Sequence, residues 1–392
     1  MRIAWISGRP VWPAHGGGEL RISGLVSEMV ARGHAVTVLQ PSPADPGAAP
    51  SGIATVTVPR TWTGRAKLVG KLPSRLPLHS PRIGAPGRAV IRETLANVRP
   101  DVLVVSEIHG WPLAADVANS VPFVFDAHNV EVRLMADMRR QAHGLQRIAY
   151  GIDEHRLARL EPEVLARAAS TLAVSEEDAS GIRKLCPGCT VAVVPSSVPL
   201  ATVRADPAAA PTRILFVGQL DFTPNVLAVV ELATKILPSV RRTVPHAELL
   251  VVGRRPTVEV RSILERTPGA HLVADAPTLD PHYLSARLAA LPIRVGSGSR
   301  LKVFEALSYG LPIVSTATGV SGIDLAPGVE YVAAESTDEL VSAVTSLLTD
   351  PMTATLIGAA GRARFEASLT WSGAADVLGA VLERVASSPT GG

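Results

Sequence analysis

Three charged side chains, Arg300, Lys302 and Glu305, fall within six residues of one another in the stretch LPIRVGSGSRLKVFEALSYGLPIVSTATGVSGI from Leu291 to Ile323. Leu291 to Val295 is apolar and partly β-branched, the end of a buried strand, and Gly296, Ser297, Gly298 and Ser299 follow as a small-residue loop. Ser299 is expected to cap a helix from Arg300 to Tyr309, stopped by Gly310 and Pro312, with Ile313 to Thr316 as the next strand. Strand, glycine loop and helix start, in that order, gather free backbone N–H groups at the positive end of a helix dipole, which makes an anion site. Two cations in a first turn oppose that dipole, so a phosphate close by is the expected counterweight. The plainer alternative is a surface ion pair between Lys302 and Glu305, worth roughly 0.2–0.5 kcal/mol.

Such a loop needs strands and helices to hold it, and the chain supplies them in alternation. Arg2 to Ser7 is a β-type run, Gly16, Gly17 and Gly18 lead into a helix from Glu19 to Arg32, and Val36 to Gln40 is a second strand, together a βαβ unit. The triple glycine lets a ligand approach backbone at the helix start, or simply makes a tight turn. Asp101 to Ser106 and Pro122 to Asp126 read as further parallel strands, carrying His109-Gly110-Trp111 and Asp126-Ala127-His128-Asn129 at their C-terminal ends, where open α/β sheets place ligands. A polar helical stretch, Glu131 to Arg167, precedes strands at Thr171 to Ser175 and Val191 to Pro195. The linker Pro199 to Pro211, rich in Ala and Pro, then gives way to strands at Ile214 to Val217, Glu248 to Val252 and His271 to Val273.

The residues Gly298 through Glu305, with Ala306, Gly310, Pro312, Ile313, Val314 and Ser315, resemble the donor-site signature of glycosyltransferase family 4, a retaining GT-B family. Glu305 matches the glutamate that in that family holds the donor ribose; the family's other glutamate falls on Ser297. Gly17 and Gly18 match its glycine pair, and Gly218 opens its diphosphate loop. The arginine and lysine of that loop fall on Gln219 and Pro224, so the resemblance moves the phosphate-binding role to Arg300 and Lys302. His128 resembles the family's donor-facing histidine.

The resemblance implies two Rossmann-like, doubly wound parallel-sheet domains facing across a cleft. Residues 1–198 would form an acceptor-side domain, 199–211 a linker and 212–371 a donor domain, with a last helix over 372–388 packing back on the first. It further implies transfer of a sugar from a nucleoside-diphosphate sugar with retention. His128, Arg300 and Lys302 would be catalytic. Gly17, Gly18, Gly218, Gly298, Ser299, Leu301 and Glu305 would bind the donor. The nucleotide sugar is a substrate, so no cofactor is called for, and the sequence has no Asp-x-Asp to hold a metal.

From Arg60 to Arg92 the chain carries Arg65, Lys67, Lys71, Arg75, Arg82 and Arg88 with no acid among them. Such a segment is a solvated basic face, or it meets an anionic acceptor or an acidic membrane surface. On the second reading Lys67, Lys71 and Arg75, together with His109 and Trp111, belong to the acceptor side, the acceptor being a saccharide, a lipid-linked glycan or a secondary metabolite.

Composition sets the remaining bounds. A chain of 392 residues exceeds one ordinary core and suggests two. A net charge of +3 does not favour nucleic-acid binding. No apolar run reaches the roughly 18 residues of a membrane span, and MRIAWISGRP reads as a strand, so a cytoplasmic protein is expected, with peripheral contact to the inner membrane face through the basic segment. Cys186 and Cys189 form one C-P-G-C, read as a turn. Three other functions compete. A Rossmann oxidoreductase is disfavoured because Leu301 breaks G-x-G-x-x-G. A nucleotide-sugar epimerase and a non-catalytic GT-B partner subunit share the architecture.

Overall fold

The computed structural model describes residues 1–14, 16–41, 49–59, 76–78, 80–81, 83–295 and 300–388. Two compact units emerge. The first is Met1–Ser196 with the C-terminal Trp371–Gly392, the second Ser197–Gly296 with Arg300–Thr370.

The first unit is built on seven parallel strands: β1 (Arg2–Ser7), β2 (Ala35–Pro41), β3 (Ala54–Val58), β4 (Val102–Ser106), β5 (Phe123–Ala127), β6 (Ser170–Ala173) and β7 (Val191–Val193), in the order β3-β2-β1-β4-β5-β6-β7. The central strands are apolar on both faces, as a parallel sheet covered on both sides requires. Along β1 the alternation is visible: Ala4 and Ile6 enter one core with Trp111, Phe123 and Leu157, while Ile3 and Trp5 enter the other with Ile22, Leu25 and Met29. That second core also takes Trp371, Leu378 and Leu382 of the last helix, Trp371–Ser387. Trp371 lies where a Cβ on Gly24 would stand, 2.3 Å away, so the glycine makes room for the indole.

The second unit holds six parallel strands: β8 (Arg213–Val217), β9 (Glu248–Gly253), β10 (Ala270–Ala274), β11 (Leu288–Leu291), β12 (Ile313–Ser315) and β13 (Val332–Ala333), ordered β10-β9-β8-β11-β12-β13. In each sheet the strand order reverses beside the first strand, between β1 and β4 and between β8 and β11. In open α/β sheets, such switch points are where ligands bind.

Several sequence readings need correction. The strand expected over Leu291 to Val295 ends at Leu291, because Pro292 has no N–H for the ladder and Ile293 turns back to the Leu291 carbonyl at 2.8 Å. The helix expected from Arg300 runs over Leu301–Tyr309, with Arg300 as its N-cap. Ser299 and Gly298 lie outside the described residues, as do Lys67, Lys71, Arg75 and the last four residues. The Gly17–Ala31 helix begins two residues before Glu19, taking in Gly17 and Gly18. The Glu131 to Arg167 stretch is two helices, Glu131–Gln141 and Gly144–Arg167, parted where Ala142 and His143 turn extended. β3 was not anticipated.

The expected linker is docked on the second unit rather than free. Ala205 N–H donates to Tyr309 at 2.8 Å, and the buried Arg362 guanidinium reaches the Ala201 carbonyl at 3.2 Å. A buried guanidinium must be given acceptors, and these backbone carbonyls supply them. Arg88, from the basic stretch, lies in the helix Ala85–Val98 and donates to Ile83 O at 3.1 Å. The C-P-G-C forms a turn closed by Cys189 N–H on Cys186 O at 3.1 Å, with both thiols free.

Candidate active site

At the β1/β4 switch point the first unit buries a chain of charges. Asp126, the penultimate residue of β5, has a fully buried carboxylate. Its Oδ1 accepts from Arg21 Nε and Nη2 at 2.9 and 2.8 Å, and its Oδ2 accepts from Ser106 Oγ at 3.0 Å. Two residues on, His128 sets Nε2 at 2.8 Å from the same Oδ2. The other ring nitrogen, Nδ1, stands 3.0 Å from Glu107 Oε1, close enough for charge attraction but off the direction of a full hydrogen bond. Glu107 Oε2 in turn meets Arg9 Nε at 2.7 Å.

These contacts set the charges. Burial alone would push the His128 imidazolium to lose its proton, but Asp126 and Glu107 outweigh it and hold the ring up at about 9. Burial likewise disfavours the Glu107 carboxylate, yet His128 and Arg9 bring it down to about 2, and Arg21 with His128 holds Asp126 well below its ordinary value. Glu131, nearby, is raised to about 7, first by burial and then by the charge of Glu107.

Local backbone reinforces the arrangement. Glu107 follows β4 directly and opens the helix Glu107–Ala114 at φ 56°, a left-handed conformation that costs a non-glycine residue of order 1–3 kcal/mol. Gly18 closes the site from the side. A Cβ there would stand 2.6 Å from Glu107 Oε1 and 3.0 Å from His128 Nδ1. Because both of those atoms are already pinned by ion pairs, Gly18→Ala is expected to cost about 1–3 kcal/mol of stability in urea unfolding. Gly17 begins the helix, and Glu19 turns its carboxylate back onto the Gly16 N–H, so an arriving anion must compete with it.

In the second unit the β8/β11 switch point carries a smaller constellation. Gly218 follows β8, and Asn225 bridges the loop after it by donating Nδ2 to Gln219 O at 2.8 Å. Asn225 Oδ1 accepts from Lys302 Nζ at 3.0 Å, and that ammonium lies 5.8 Å from the Phe216 ring centroid. Burial and then the charge of Arg300 bring Lys302 down to about 8. Glu305 Oε2 accepts from Tyr283 OH at 2.7 Å, and Tyr283 stacks on Tyr309 with centroids 4.6 Å apart. Burial raises the Glu305 carboxyl above its ordinary value, with Tyr283 and Lys302 opposing. Lys302 and Glu305 are therefore not simply each other's surface partner. Leu301 starts their helix, half-buried.

Of the acceptor-side residues, Trp111 is a correction. It is 3% exposed, tilted against Phe123 at 5.6 Å and covered by Arg167, so it is a core residue. His109 contacts Ser80 Oγ through Nδ1 at 3.2 Å. Sequence reasoning missed Arg9, Arg21, Glu107, Glu131, Asn225 and Tyr283. Glu107 had a signal, since it is the first residue beyond a strand end that was already marked. Arg21, Asn225 and Tyr283 had none, because the charged or polar groups they meet, Asp126, Lys302 and Glu305, lie 105, 77 and 22 residues away. Among the described residues no group of three His, Cys, Asp or Glu is set to hold a metal, and no single helix is long and apolar enough to cross a membrane.

Residues 16–197 match the model of the glycosyl transferase 4-like domain, and residues 211–350 that of the glycosyl transferases group 1. Both halves thus match glycosyltransferase domain models, on a fold of the GT-B type. That fold is shared with sucrose-phosphate synthase from Thermosynechococcus elongatus at TM-score 0.73 and 17% identity, over 98% of this chain and 99% of the other. HepE of Anabaena, solved with UDP and glucose, aligns at TM-score 0.69 and 11% identity over 98% and 100%. A GDP-mannose-dependent alpha-(1-6)-phosphatidylinositol monomannoside mannosyltransferase of Mycolicibacterium smegmatis is 30% identical over 146 residues, 34% of this chain. That match spans 38% of the length of the relative.

Proposed function

We propose that this GT-B glycosyltransferase moves a sugar from a nucleoside-diphosphate donor to an acceptor hydroxyl with retention at the anomeric carbon. One observation carries the reading: Lys302 Nζ is fixed on Asn225 Oδ1, the residue next to Pro224, where the resembling family would place its diphosphate lysine. A cation from a different segment thus stands beside the position of the missing one. Arg300 adds a second positive charge close enough to depress Lys302, and two like charges held together favour an anion between them.

Glu305 takes the ribose, because a carboxylate already accepting from Tyr283 still has lone pairs for hydroxyl donors. The bond from the anomeric carbon to the diphosphate breaks, and the acceptor oxygen bonds to that carbon on the same face. The acceptor proton passes to the departing phosphate oxygen. Arg300, Lys302 and the helix N–H groups neutralise the charge that develops there, the role a metal ion serves elsewhere. His128, ringed by two carboxylates, acts by position and charge. Donor bases seen in similar proteins direct the test: UDP and GDP sugars are screened by thermal shift, with ADP and dTDP sugars beside them, and the binder is then assayed with saccharide and lipid acceptors. One nucleotide is expected to raise Tm well above the rest. Binding without turnover on any acceptor would favour the partner-subunit reading, and an isomerised sugar without acceptor the epimerase.

A further inference from the structure

We propose that Glu107 is a positioning residue which orients the His128 ring and keeps it a cation, so that His128 serves the site as a permanent positive group and never as a proton acceptor. The proposal rests on the reading of this cluster as part of the transferase site, but its geometry stands without it. Both ring nitrogens of His128 face carboxylate oxygens, Nε2 at 2.8 Å from Asp126 and Nδ1 at 3.0 Å from Glu107. A histidine meant to accept a proton leaves one nitrogen open. Here neither is open.

Asp126 exerts the larger pull on the ring, but it does not serve the ring alone. Its carboxylate is already matched by the Arg21 guanidinium through two hydrogen bonds to Oδ1, and its Oδ2 is shared with Ser106. Burial opposes the imidazolium before any other effect, so a carboxylate already shared with Arg21 and Ser106 is reinforced by a second one. Glu107 supplies that second negative charge. Its own side chain is 6% exposed and is held from the far end by Arg9, whose side chain is 43% exposed. The strained φ of 56° fits a side chain aimed by its surroundings rather than by backbone preference. The glycine at position 18 leaves the space in which Glu107 and His128 meet.

The charged groups around the pair come from every neighbouring element. Arg21 lies on the Gly17–Ala31 helix, Arg9 follows β1, Asp126 is on β5, His109 shares the helix of Glu107, and Glu131 opens the helix Glu131–Gln141. Arg9 and Arg21 carry charge of the same sign as the imidazolium and are each paired with one of its carboxylates; Asp126 and Glu107 support the cation. Glu131 joins the supporting side as it ionises around neutrality.

The test is a pH titration of the histidine ring signals by NMR in the full-length protein, with His128 assigned by its loss in His128→Gln. In the wild type the ring is expected to remain imidazolium through pH 8. In Glu107→Gln the midpoint should fall by at least about one pH unit, toward the ordinary 6.5, and Glu107→Asp should restore part of it. Arg9→Met, at the exposed edge, should move the midpoint the other way, and it keeps the question open to measurement if Glu107→Gln fails to fold. On turnover, Glu107→Gln should add a second alkaline loss of kcat/KM that tracks the new midpoint, beside the Lys302 limb near pH 8 expected of the wild type. A wild-type midpoint near 6.5, or one unmoved by Glu107→Gln, overturns the proposal. Because the titration needs no substrate, an inactive protein would count against the transferase reading alone.

Discussion

Lys302→Ala is expected to lower kcat/KM by about 10–100-fold, the loss of one charge-assisted contact to a leaving diphosphate. The diphosphate gains negative charge as its bond to the sugar breaks, so a cation held beside it favours the transition state over the ground state. kcat should fall along with donor affinity. The position of the ammonium is fixed by Asn225 rather than by the flexible lysine stem, so the charge is preorganised. Arg300 reaches the same neighbourhood from the N-cap, where φ −85° and ψ 48° release it from helical spacing. The two cations are therefore not separated by the 200° that two helical steps would impose.

A second signature belongs to the same residue. Lys302 titrates at about 8, its charge disfavoured by burial and by Arg300, and only the protonated form serves a leaving phosphate. The sign is then fixed: kcat/KM, which reports the free enzyme, should be full below about pH 7 and decline as pH rises through 8. Lys302→Arg carries a charge that does not titrate in this range and should lose that limb. Normal kcat in Lys302→Ala, with the alkaline limb unchanged, would remove the diphosphate role.

Glu305→Ala is expected to weaken nucleoside-diphosphate binding by about 1.5–3 kcal/mol, the worth of hydrogen bonds to a charged group. Calorimetry with the free nucleotide measures it directly. Tyr283 makes the variant more severe than a simple deletion, since its buried hydroxyl would lose the Oε2 acceptor 2.7 Å away. Glu305→Gln keeps an acceptor for Tyr283 while removing the charge, so the difference between the two variants isolates the carboxylate's part in binding. Unchanged affinity in Glu305→Ala would withdraw the ribose assignment.

The alternation of apolar strands and amphipathic helices was legible in the chain, and so was the doubly wound class, because both follow from period-2 and period-3.6 patterns that any short window contains. Legible too was the contiguous motif that carries Lys302 and Glu305, and the place of His128, one residue past β5. Trp111 shows the limit of that logic: its place just past a strand end suggested a ligand, and only packing against Phe123 and Arg167 revealed a core side chain. The Arg300–Glu305 segment gave up its composition but not its organisation. That Lys302 rests on Asn225, 77 residues earlier, depends on β8 and β11 being neighbours in the sheet. That Arg21 neutralises Asp126 across 105 residues depends on the Gly17–Ala31 helix lying against the first unit's sheet of β1, β4 and β5. The sequence determined which charges this protein carries and on which elements. Which charges meet, and therefore whether His128 is a base or a fixed cation, was decided by tertiary structure, because a pKa is set by neighbours within a few ångströms of space and not by neighbours along the chain.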